Sequence, residues 1–378
     1  MARFLGLDIG ARYVRVALLA TSYRRMSVER LEEVPIASPD EVASAVTLAT
    51  SHLLAHLDGV ATAIDGELTF VHRLTLPATA TKQLAEVLPF EIEAQVPVDL
   101  EELVYDHRLL PRANNQAPVS VLVAAARIEH VRARIELVRA AMGREPDRVA
   151  CGSIALANLA VLSPALRVPG PVVLVDLDGF RTEVTLIAAG QALAVRTLSR
   201  GVEGLPASAP ALAAELRQTL LAWGTHHGGD VEVAYLVGGG AAADGAERFL
   251  EHELGVPVRP MPAVQLEGAT PELAAAIPRY AKAVALALAA AGRGHDVDLR
   301  RGPLAFQRGF GFLKEKAPLL VGLGAATLVS FLFATWAEVR ALGRENAVLV
   351  DELALQSKQI LGEEARDAET ALALLEKA

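Results

Sequence analysis

The chain has 378 residues, of which 21% are charged and 52% hydrophobic, and its formal net charge is −9. This composition excludes a disordered chain, and an acidic chain without a long basic stripe is unlike a nucleic-acid-binding protein. The single cysteine, Cys151, excludes a disulfide within one chain, and its small apolar neighbours predict a buried, inert thiol.

Strand and helix patterns alternate through the first half of the chain. The first helix is expected to have Asp40 as its cap and to end near Leu57. A second helix begins at Thr79 or Thr81 and ends near Val96, before Pro97. The remaining elements are predicted strands at 4–8, 13–20, 26–34, 60–64, 68–76, 104–110 and 119–125, and a helix at 128–141.

The second half begins again in the same style. The predicted strands are 172–176, 182–188, 191–197 and 233–237, and the predicted helices are 210–223, 242–254 and 271–291. In the last helix Thr270 is the expected cap and Pro278 the expected break. Because three strands followed by helices occur twice, we predict an α/β duplication.

Three glycine-containing turns fall at strand ends in the two halves. They are Gly6-Leu7-Asp8-Ile9-Gly10, Val175-Asp176-Leu177-Asp178-Gly179 and Leu236-Val237-Gly238-Gly239-Gly240. An aspartate at a strand end can hold a hydrated Mg²⁺, and glycine lets backbone N–H groups approach a phosphate or a flat ring. The candidate nucleotide-binding residues are Asp8, Gly10, Asp176, Gly179, Gly238, Gly239 and Gly240, and no catalytic or metal-ligating residue is assigned.

Residues 317–336 form a twenty-residue segment without a charge. At about 1.5 Å per residue, a helix of this length spans about 30 Å, which is the thickness of a bilayer's hydrocarbon core. A buried core helix is the alternative. Basic residues are more numerous before the segment than after it: Arg300, Arg301, Arg308, Lys314 and Lys316 against Arg340 and Arg344. The positive-inside rule therefore predicts one span with the N-terminal side in the cytosol.

An apolar repeat with spacings of three and four follows the span. Its members are Val339, Leu342, Asn346, Leu349, Leu353, Gln356 and Ile360. This heptad pattern predicts a periplasmic coiled-coil stalk between chains, in which Asn346 at an a position would fix register and partner number. A helix that packs on its own chain is the alternative. The pattern weakens after Gly362.

With these turns, the segment from about Arg3 to Ala291 resembles the actin-like ATPase superfamily, in particular PilM of type IV pili and GspL, the L protein of type II secretion systems. Residues 88–102 are similar to a helix of PilM and the residues that follow it, and residues 213–220 are similar to the helix before the adenosine turn. Residues 298–305 are similar to the GspL segment ahead of the membrane. The resemblance implies an RNase H-like duplicated fold with two lobes.

The predicted organisation combines that fold with the membrane segment. It comprises lobe I with an inserted subdomain at 1–165, lobe II at 166–295, a basic juxtamembrane linker at 296–316, the transmembrane helix at 317–336 and a periplasmic coiled-coil helix at 337–378. PilM, as its family is known, has no transmembrane helix and works with a membrane partner, PilN, whereas GspL carries both parts in one chain. The architecture therefore favours GspL. A GspL usually ends in a ferredoxin-like periplasmic domain, and the helical residues after Trp336 depart from that: either the chain was shortened or this member lacks the domain.

The resemblance also implies a site for ATP and Mg²⁺, in which Glu215 would reach a ribose hydroxyl. The alternative for Glu215 is a surface charge on a helix. Two departures from active relatives predict a degenerate cleft in place of a working ATPase. Ala11 stands where those relatives have a phosphate-binding Ser or Thr, and Asp178 adds a carboxylate that repels phosphate unless a metal neutralises it. Arg12 or Arg181 would compensate in part.

From this resemblance we expect a single-pass subunit of the bacterial inner-membrane platform of type II secretion, with a cytoplasmic N-terminus and a periplasmic C-terminus. It would recruit the cytosolic secretion ATPase GspE, and pair with GspM and GspF in the membrane and with itself through the span and stalk. A PilM-like pilus assembly protein with a membrane segment, and an active actin-like ATPase or kinase, are the alternatives.

Overall fold

A computed structural model describes residues 2–22, 25–53, 56–112, 114, 116–227, 229–262, 264, 266, 270–306 and 311–377, without the side chains of 226, 227, 242 and 311–316. The chain divides into two compact units, Met1–Phe306 and Gln307–Ala378. The first unit extends well into the segment 296–316 that was predicted as a linker.

All the strands of the described residues belong to the first unit. They are β1 Ala2–Ile9, β2 Tyr13–Ser22, β3 Arg25–Pro35, β4 Gly59–Ile64, β5 Thr69–Leu76, β6 Leu103–Leu109, β7 Val119–Arg127, β8 Arg148–Cys151, β9 Val172–Leu177, β10 Thr182–Ala188, β11 Gln191–Leu198, β12 Val233–Val237 and β13 Val258–Pro260. Each predicted strand is present, and the two shortest, β8 and β13, were not predicted.

Two five-stranded sheets repeat one topology, which confirms the predicted duplication. Their strand orders are β3-β2-β1-β4-β8 in lobe I and β11-β10-β9-β12-β13 in lobe II. In each sheet three consecutive strands pair antiparallel, and two later strands add in parallel beside the first of the three. The equivalent strands β1 and β9 therefore lie at the centre of their sheets, and Asp8 and Asp176 lie near their carboxyl ends.

A third sheet, with strand order β5-β7-β6, is inserted in the chain between β4 and β8. Its strands are antiparallel, and Leu84, Leu88 and Ile92 of one helix pack on Val121 and Val123 of its central strand. The three helix residues are spaced by four, so they share one face of the helix. This sheet is the structural counterpart of the insertion expected in lobe I.

The helices are α1 Val42–Thr50, α2 Leu84–Gln95, α3 Ile128–Met142, α4 Gly152–Ala155, α5 Ala209–His227, α6 Ala246–Leu254, α7 Pro271–Ala276, α8 Ala281–Ala290, α9 Gly311–Leu361 and α10 Ala368–Lys377. Helix α1 ends at Thr50, so the prediction of a helix to Leu57 is wrong, and Asp40 makes no capping bond. The break at Pro278 and the Thr270 cap are confirmed, since Thr270 Oγ1 accepts a hydrogen bond from the Leu273 amide at 3.3 Å.

Helix α8 positions the site because it lies directly against β1. At Gly6, a Cβ atom would fall 1.9 Å from the carbonyl oxygen of Ala283 and 2.4 Å from the amide nitrogen of Ala287. Only glycine allows this approach, and the small alanines of α8 suit it. Helix α8 falls within the range predicted for lobe II, yet it packs on the lobe I sheet, on the face opposite to Leu5 and Leu7.

The segment after α8 also packs within the first unit, against lobe I and the inserted sheet. Val297 and Leu299 are fully buried, and the Leu299 amide donates a hydrogen bond to the Val149 carbonyl of β8 at 2.7 Å. The Asp298 amide donates to Asp106 at 2.9 Å, and Arg301 forms an ion pair with the same carboxylate at 3.0 Å. Two of the basic residues assigned to the predicted linker, Arg300 and Arg301, are thus engaged by lobe I and the inserted sheet.

The second unit is a long helix with a short helix packed at its end. Helix α9 has 51 residues and includes the apolar segment 317–336, whose large side chains are exposed throughout. Helix α9 ends before Gly362, which has a φ of +73°. In the turn that leads to α10, the Ala365 amide donates a hydrogen bond to Ser357 Oγ of α9 at 2.8 Å. The heptad residues all precede this turn.

Two helical segments among the described residues are long and apolar enough to cross a membrane. One, Pro271–Ala290, is half buried within the first unit and includes α8. The other, Ala317–Leu361, has a mean hydropathy of 2.0 in its most apolar stretch, none of which is buried. The second segment contains the predicted transmembrane helix.

Candidate functional site

The three predicted turns meet in a cleft between the lobes. We define this cleft by Asp8, Asp176, Asp178 and the three glycines 238–240. Asp8 and Asp176 are both buried. Between the lobes lies the ammonium group of Lys282 on α8, with Nζ 2.9 Å from Asp176 Oδ2 and 3.2 Å from Glu183 Oε2. The cation at the centre of these carboxylates is therefore a side chain of the chain itself.

The charges of this cluster are set by burial and by one another. Burial raises the pKa of Asp8 to about 6, although Lys282 and Arg15 both oppose the rise. Burial works against the charge of Lys282, but the carboxylates of Asp176, Glu183 and Asp8 hold its pKa well above the usual value. The ammonium group consequently stays charged, and a carboxylate-lined pocket is neutralised from within.

A second cation, Arg15 on β2, crosses the same cleft. Its side chain is 4% exposed, Nε lies 2.7 Å from Glu33 Oε2, and Nη1 lies 3.3 Å from Asp178 Oδ1 in lobe II. The guanidinium also lies against the third turn, because a Cβ on Gly239 would fall 2.5 Å from Nη2. Arg15 therefore neutralises Asp178, the extra carboxylate of the second turn, and fills the space beside the predicted adenosine turn.

The glycines of the three turns are closely packed, and two of them lie against acidic residues. A Cβ on Gly10 would lie 3.1 Å from Asp178 Oδ2, and one on Gly238, where φ is +86°, would lie 2.1 Å from Asp176 Oδ1. A Cβ on Gly179 would lie 3.3 Å from Cγ of Arg12, and one on Gly240 would collide with Val202. The predicted residues thus converge, and their role in nucleotide binding stays a prediction.

Glu215 is engaged elsewhere. Its Oε1 accepts a hydrogen bond from Arg200 Nε at 2.7 Å, and both side chains are partly exposed. No contact among the described residues joins Glu215 to Asp8, Asp176 or the glycine turns. Of the two interpretations from the sequence, this geometry fits a surface charge on α5.

The two arginines expected to compensate Asp178 pair with other carboxylates. Arg12 forms an ion pair with Glu203 and lies over the ring of Phe180, 5.4 Å from its centre. Arg181 Nη1 lies 3.3 Å from Glu67 and 3.5 Å from Asp65. Both pairs join an element of lobe I to an element of lobe II, as do Lys282 and Arg15, so ion pairs bridge the cleft at several points.

Magnesium and the phosphates of a nucleotide do not fit this arrangement. The carboxylates suited to Mg²⁺ already surround Lys282, and Asp178 lies beside Gly10 where a phosphate would need donors. Among the described residues, no group of three His, Cys, Asp or Glu side chains is arranged to hold a metal ion. Ala11, exposed in the first turn, supplies no hydroxyl.

Sequence reasoning missed the cations of the cleft and one of its acids. Lys282 is the single charge in the apolar helix α8, Arg15 interrupts the apolar strand β2, and Glu183 interrupts β10. A lone charge in a buried apolar run is costly unless it is paired. That signal could have marked each residue as a member of a buried pair, but it does not identify the partner.

The prediction for Cys151 is confirmed. The thiol is fully buried and free, and burial raises its pKa. Its sulfur lies 3.5 Å from Ser153 Oγ and 3.6 Å from Thr69 Oγ1. A buried thiol with a raised pKa is a poor nucleophile, so the residue fills the core.

Comparisons with known proteins agree with this topology. A family profile described as type IV pilus assembly protein PilM matches residues 6–206, and no curated protein sequence matches the chain. The solved PilM–PilN type IV pilus biogenesis complex contains a chain with a TM-score of 0.64 and 24% identity, over 76% of this chain and 98% of that one. This likeness shows the actin-like ATPase fold.

Two further solved structures are similar at lower scores. The cytoplasmic domain of EpsL, an inner-membrane component of the type II secretion system of Vibrio cholerae, has a TM-score of 0.46 at 14% identity, over 80% of this chain and 100% of that one. A protein of unknown function with an actin-like ATPase fold from Bacteroides thetaiotaomicron has a TM-score of 0.42 at 11% identity, over 68% and 90% of the two chains.

Proposed function

Because the chain belongs to the family of the type IV pilus assembly protein PilM, we propose that it is a membrane-anchored scaffold of a pilus or secretion machine. In this proposal the actin-like domain does not turn over ATP. The observation that carries it is the Lys282 ammonium between Asp176 and Glu183, in the place where a catalytic cleft would need a metal ion.

The cleft supports a structural role because its charges are satisfied internally. Lys282 and Arg15 neutralise the carboxylates that a Mg²⁺–nucleotide would otherwise engage. Opening the cleft for a nucleotide would separate several ion pairs and leave buried carboxylates unpaired, which is strongly unfavourable. A domain held together in this way presents a constant outer surface to partner proteins.

The anchor is assigned to residues 317–336 of α9. Its large apolar side chains are exposed, with Leu323 and Phe331 each 67% exposed, and no charge interrupts them. Exposed apolar surface of this length is unfavourable in water and favourable in a bilayer. We assign the preceding residues to the cytosol and α10 to the periplasm, from the excess of Lys and Arg ahead of the segment.

Within the two classes of machine we favour type II secretion and a GspL-type role. The reason is the combination, in one chain, of a PilM-like domain and an apolar helix long enough to span a membrane. The domain would dock the secretion ATPase GspE, and the membrane part would pair with GspM and GspF. Fixing the motor at the membrane raises its effective concentration beside the platform.

A pilus role is the second candidate, and the family match favours it. The profile that matches residues 6–206 is that of a pilus assembly protein, and the solved PilM chain is similar over most of its length. In this case the partner motor would be a pilus ATPase. The two candidates share the membrane anchor and the internally neutralised cleft.

Reconstitution distinguishes the candidates. The full chain in liposomes is mixed with a purified secretion ATPase or a purified pilus ATPase from the same genome, and the vesicles are floated on a density gradient. We expect one motor to float with vesicles that carry the full chain and not with empty vesicles. Flotation of neither motor would contradict the scaffold proposal, and the identity of the floating motor decides between the two machines.

Self-association is proposed for the heptad residues of α9. We expect a Leu342→Cys variant to form a disulfide-linked dimer in membranes under mild oxidation, since Leu342 occupies a d position. The control is Arg344→Cys, on the opposite side of the same helix. The native Cys151 is buried and does not interfere. Equal cross-linking of the two variants would contradict a coiled coil in this register.

A further inference from the structure

The outer face of helix α2 carries the most exposed large apolar side chain described in the first unit. Phe90 is 73% exposed, against 66% for Leu221 and 64% for Leu48. Because Leu88 and Ile92 pack the opposite face of α2 on the inserted sheet, the ring of Phe90 points away from that sheet. Aromatic side chains are enriched in protein–protein interfaces and depleted from the remaining surface. This ring is therefore a candidate anchor for a partner protein.

Acidic side chains flank the ring on the same face of the helix. Glu86 lies four residues before Phe90 and Glu93 three residues after it, and both are exposed. Residues at these spacings are neighbours on a helix surface. The ring is thus bordered by a carboxylate on each side along the helix axis.

The negative charge continues beyond the helix. Residues 83–102 contain no Lys, Arg or His, and their acidic residues are Glu86, Glu91, Glu93, Asp99, Glu101 and Glu102. Of these six, only Glu102 forms an ion pair with a described residue, Arg127, at 2.7 Å. The carboxylates of the cleft, in contrast, are neutralised by Lys282 and Arg15. The surface of α2 consequently keeps its charge for an external partner.

From this face we infer that α2 docks the motor ATPase of the machine, through a basic surface of the motor with an apolar pocket that receives the Phe90 ring. The docking face is defined by Glu86, Phe90 and Glu93. The inference rests on the proposed function, because it names the surface by which the scaffold holds its motor. It applies equally to a pilus motor and to a secretion motor.

The charge of the docking face decides its occupant. A second copy of the same face, a nucleic acid and an anionic lipid surface all carry negative charge, so each of them would be repelled. A basic protein surface is attracted instead, and its charges steer the encounter and fix the orientation of the complex. The central ring, once it is removed from water, supplies the larger share of the affinity.

The test uses the full chain in liposomes and the purified motor that floats with it, now carrying a fluorescent label. The fraction of motor that floats at graded vesicle concentrations gives an apparent affinity. In one variant, Phe90→Ala, the ring is removed. In the other, Glu86→Lys with Glu93→Lys, the flanking charge is reversed. All three positions are exposed, so the urea midpoints of the variants should equal that of the wild type.

Each variant has a matched control elsewhere on the first unit. Leu48→Ala removes an exposed apolar side chain from α1. Glu129→Lys with Glu136→Lys reverses two exposed carboxylates on α3, which are seven residues apart like Glu86 and Glu93. The controls therefore change the same chemistry outside the docking face.

Both docking-face variants should weaken binding of the motor by about tenfold or more, whereas the controls leave it unchanged. The effect of charge reversal should shrink as the salt concentration rises from about 0.05 M to about 0.5 M, because salt screens exposed charges. The effect of Phe90→Ala should persist at high salt. Direct contact is read from a photoreactive benzoylphenylalanine, which should cross-link the motor when it replaces Phe90 and not when it replaces Leu48.

Wild-type affinity in both docking-face variants would overturn the inference, as would a cross-link from position 48 without one from position 90. In either case the wild-type chain still floats a motor, so the scaffold proposal stands. Flotation of neither motor by the wild-type chain would overturn both.

Discussion

Lys282 Nζ lies 2.9 Å from Asp176 Oδ2 and joins a helix packed on the lobe I sheet to the central strand of the lobe II sheet. Asp176 is the topological equivalent of Asp8, since each lies near the carboxyl end of the first strand in its sheet. The two copies of the duplicated fold thus meet at a lysine. A buried ammonium between buried carboxylates ties the lobes together without an external cation.

Replacing Lys282 tests how much this contact stabilises the domain. In a Lys282→Met variant, Asp176 and Glu183 remain buried without their cation, so the free energy of unfolding should fall by about 3–5 kcal/mol. The measurement is a urea titration of the full chain in detergent, followed by tryptophan fluorescence in a Trp336→Phe background, so that the signal comes from the buried Trp223.

The matched control is Lys82→Met, the same substitution at an exposed position of the first unit. It should leave the urea midpoint nearly unchanged. If Lys282→Met were as stable as this control, the ion pairs of Lys282 would contribute little to the fold.

The pKa of Asp8 predicts a specific dependence of stability on pH. Its pKa is about 6 in the fold, because burial disfavours the charged form, against 3.8 when unperturbed. The native state therefore binds the proton more tightly than the unfolded state. The contribution of Asp8 to stability is complete below about pH 4 and is lost as pH rises to about 6, by about 3 kcal/mol in all.

An Asp8→Asn variant isolates the contribution that the ionisation of Asp8 makes to stability. Relative to the wild type it should gain stability as pH rises from about 4 to about 6, the two ends of the window, because the asparagine cannot ionise. Urea midpoints at the two pH values give the comparison. Wild-type and variant profiles that run parallel would show that Asp8 does not titrate in this range.

Gly238 and Gly245 form a matched pair for the third turn. Both have positive φ, +86° and +80°, but only at Gly238 would a Cβ meet other atoms, including Asp176 Oδ1 at 2.1 Å. Gly245→Ala should cost about 1–2 kcal/mol from backbone strain, and Gly238→Ala about 1–3 kcal/mol more from crowding. Thermal or urea unfolding measures the difference, and equal losses would contradict the packing of the turn on Asp176.

The membrane anchor is tested by one charge at its centre. Leu328→Arg should weaken insertion by about 2.5–3.5 kcal/mol and move part of the protein into the carbonate-soluble fraction. Leu349→Arg, on the same helix beyond the segment, should stay in the membrane fraction. Retention of both variants to the same degree would argue against residues 317–336 as the span.

Much of the fold followed from sequence patterns because its strands are strongly apolar. Strand β12 is a continuous apolar run, β9 is apolar up to Asp176, and the repeat of three strands before a helix was visible in each half. The short strands β8 and β13 lacked such a pattern. Their four and three residues join the sheets through parallel pairing with distant neighbours, which no local period records.

The site was predictable only in part. The turns showed that Asp8, Asp176 and the glycines lie at strand ends, and the duplication brings such ends together. The partners of those residues depend on tertiary packing: Lys282 reaches Asp176 because α8 returns to lobe I, and that return is not marked by any local pattern. Glu215 illustrates the converse, since its position on α5 was right and its partner, Arg200, was not foreseen.

The central claim is that the cations of the cleft belong to the chain itself and leave no place for Mg²⁺–ATP. Isothermal titration of the full chain in detergent with ATP and Mg²⁺ tests it most directly. The account predicts no saturable binding up to millimolar nucleotide. Saturable micromolar binding that disappears in an Asp8→Ala variant would contradict it.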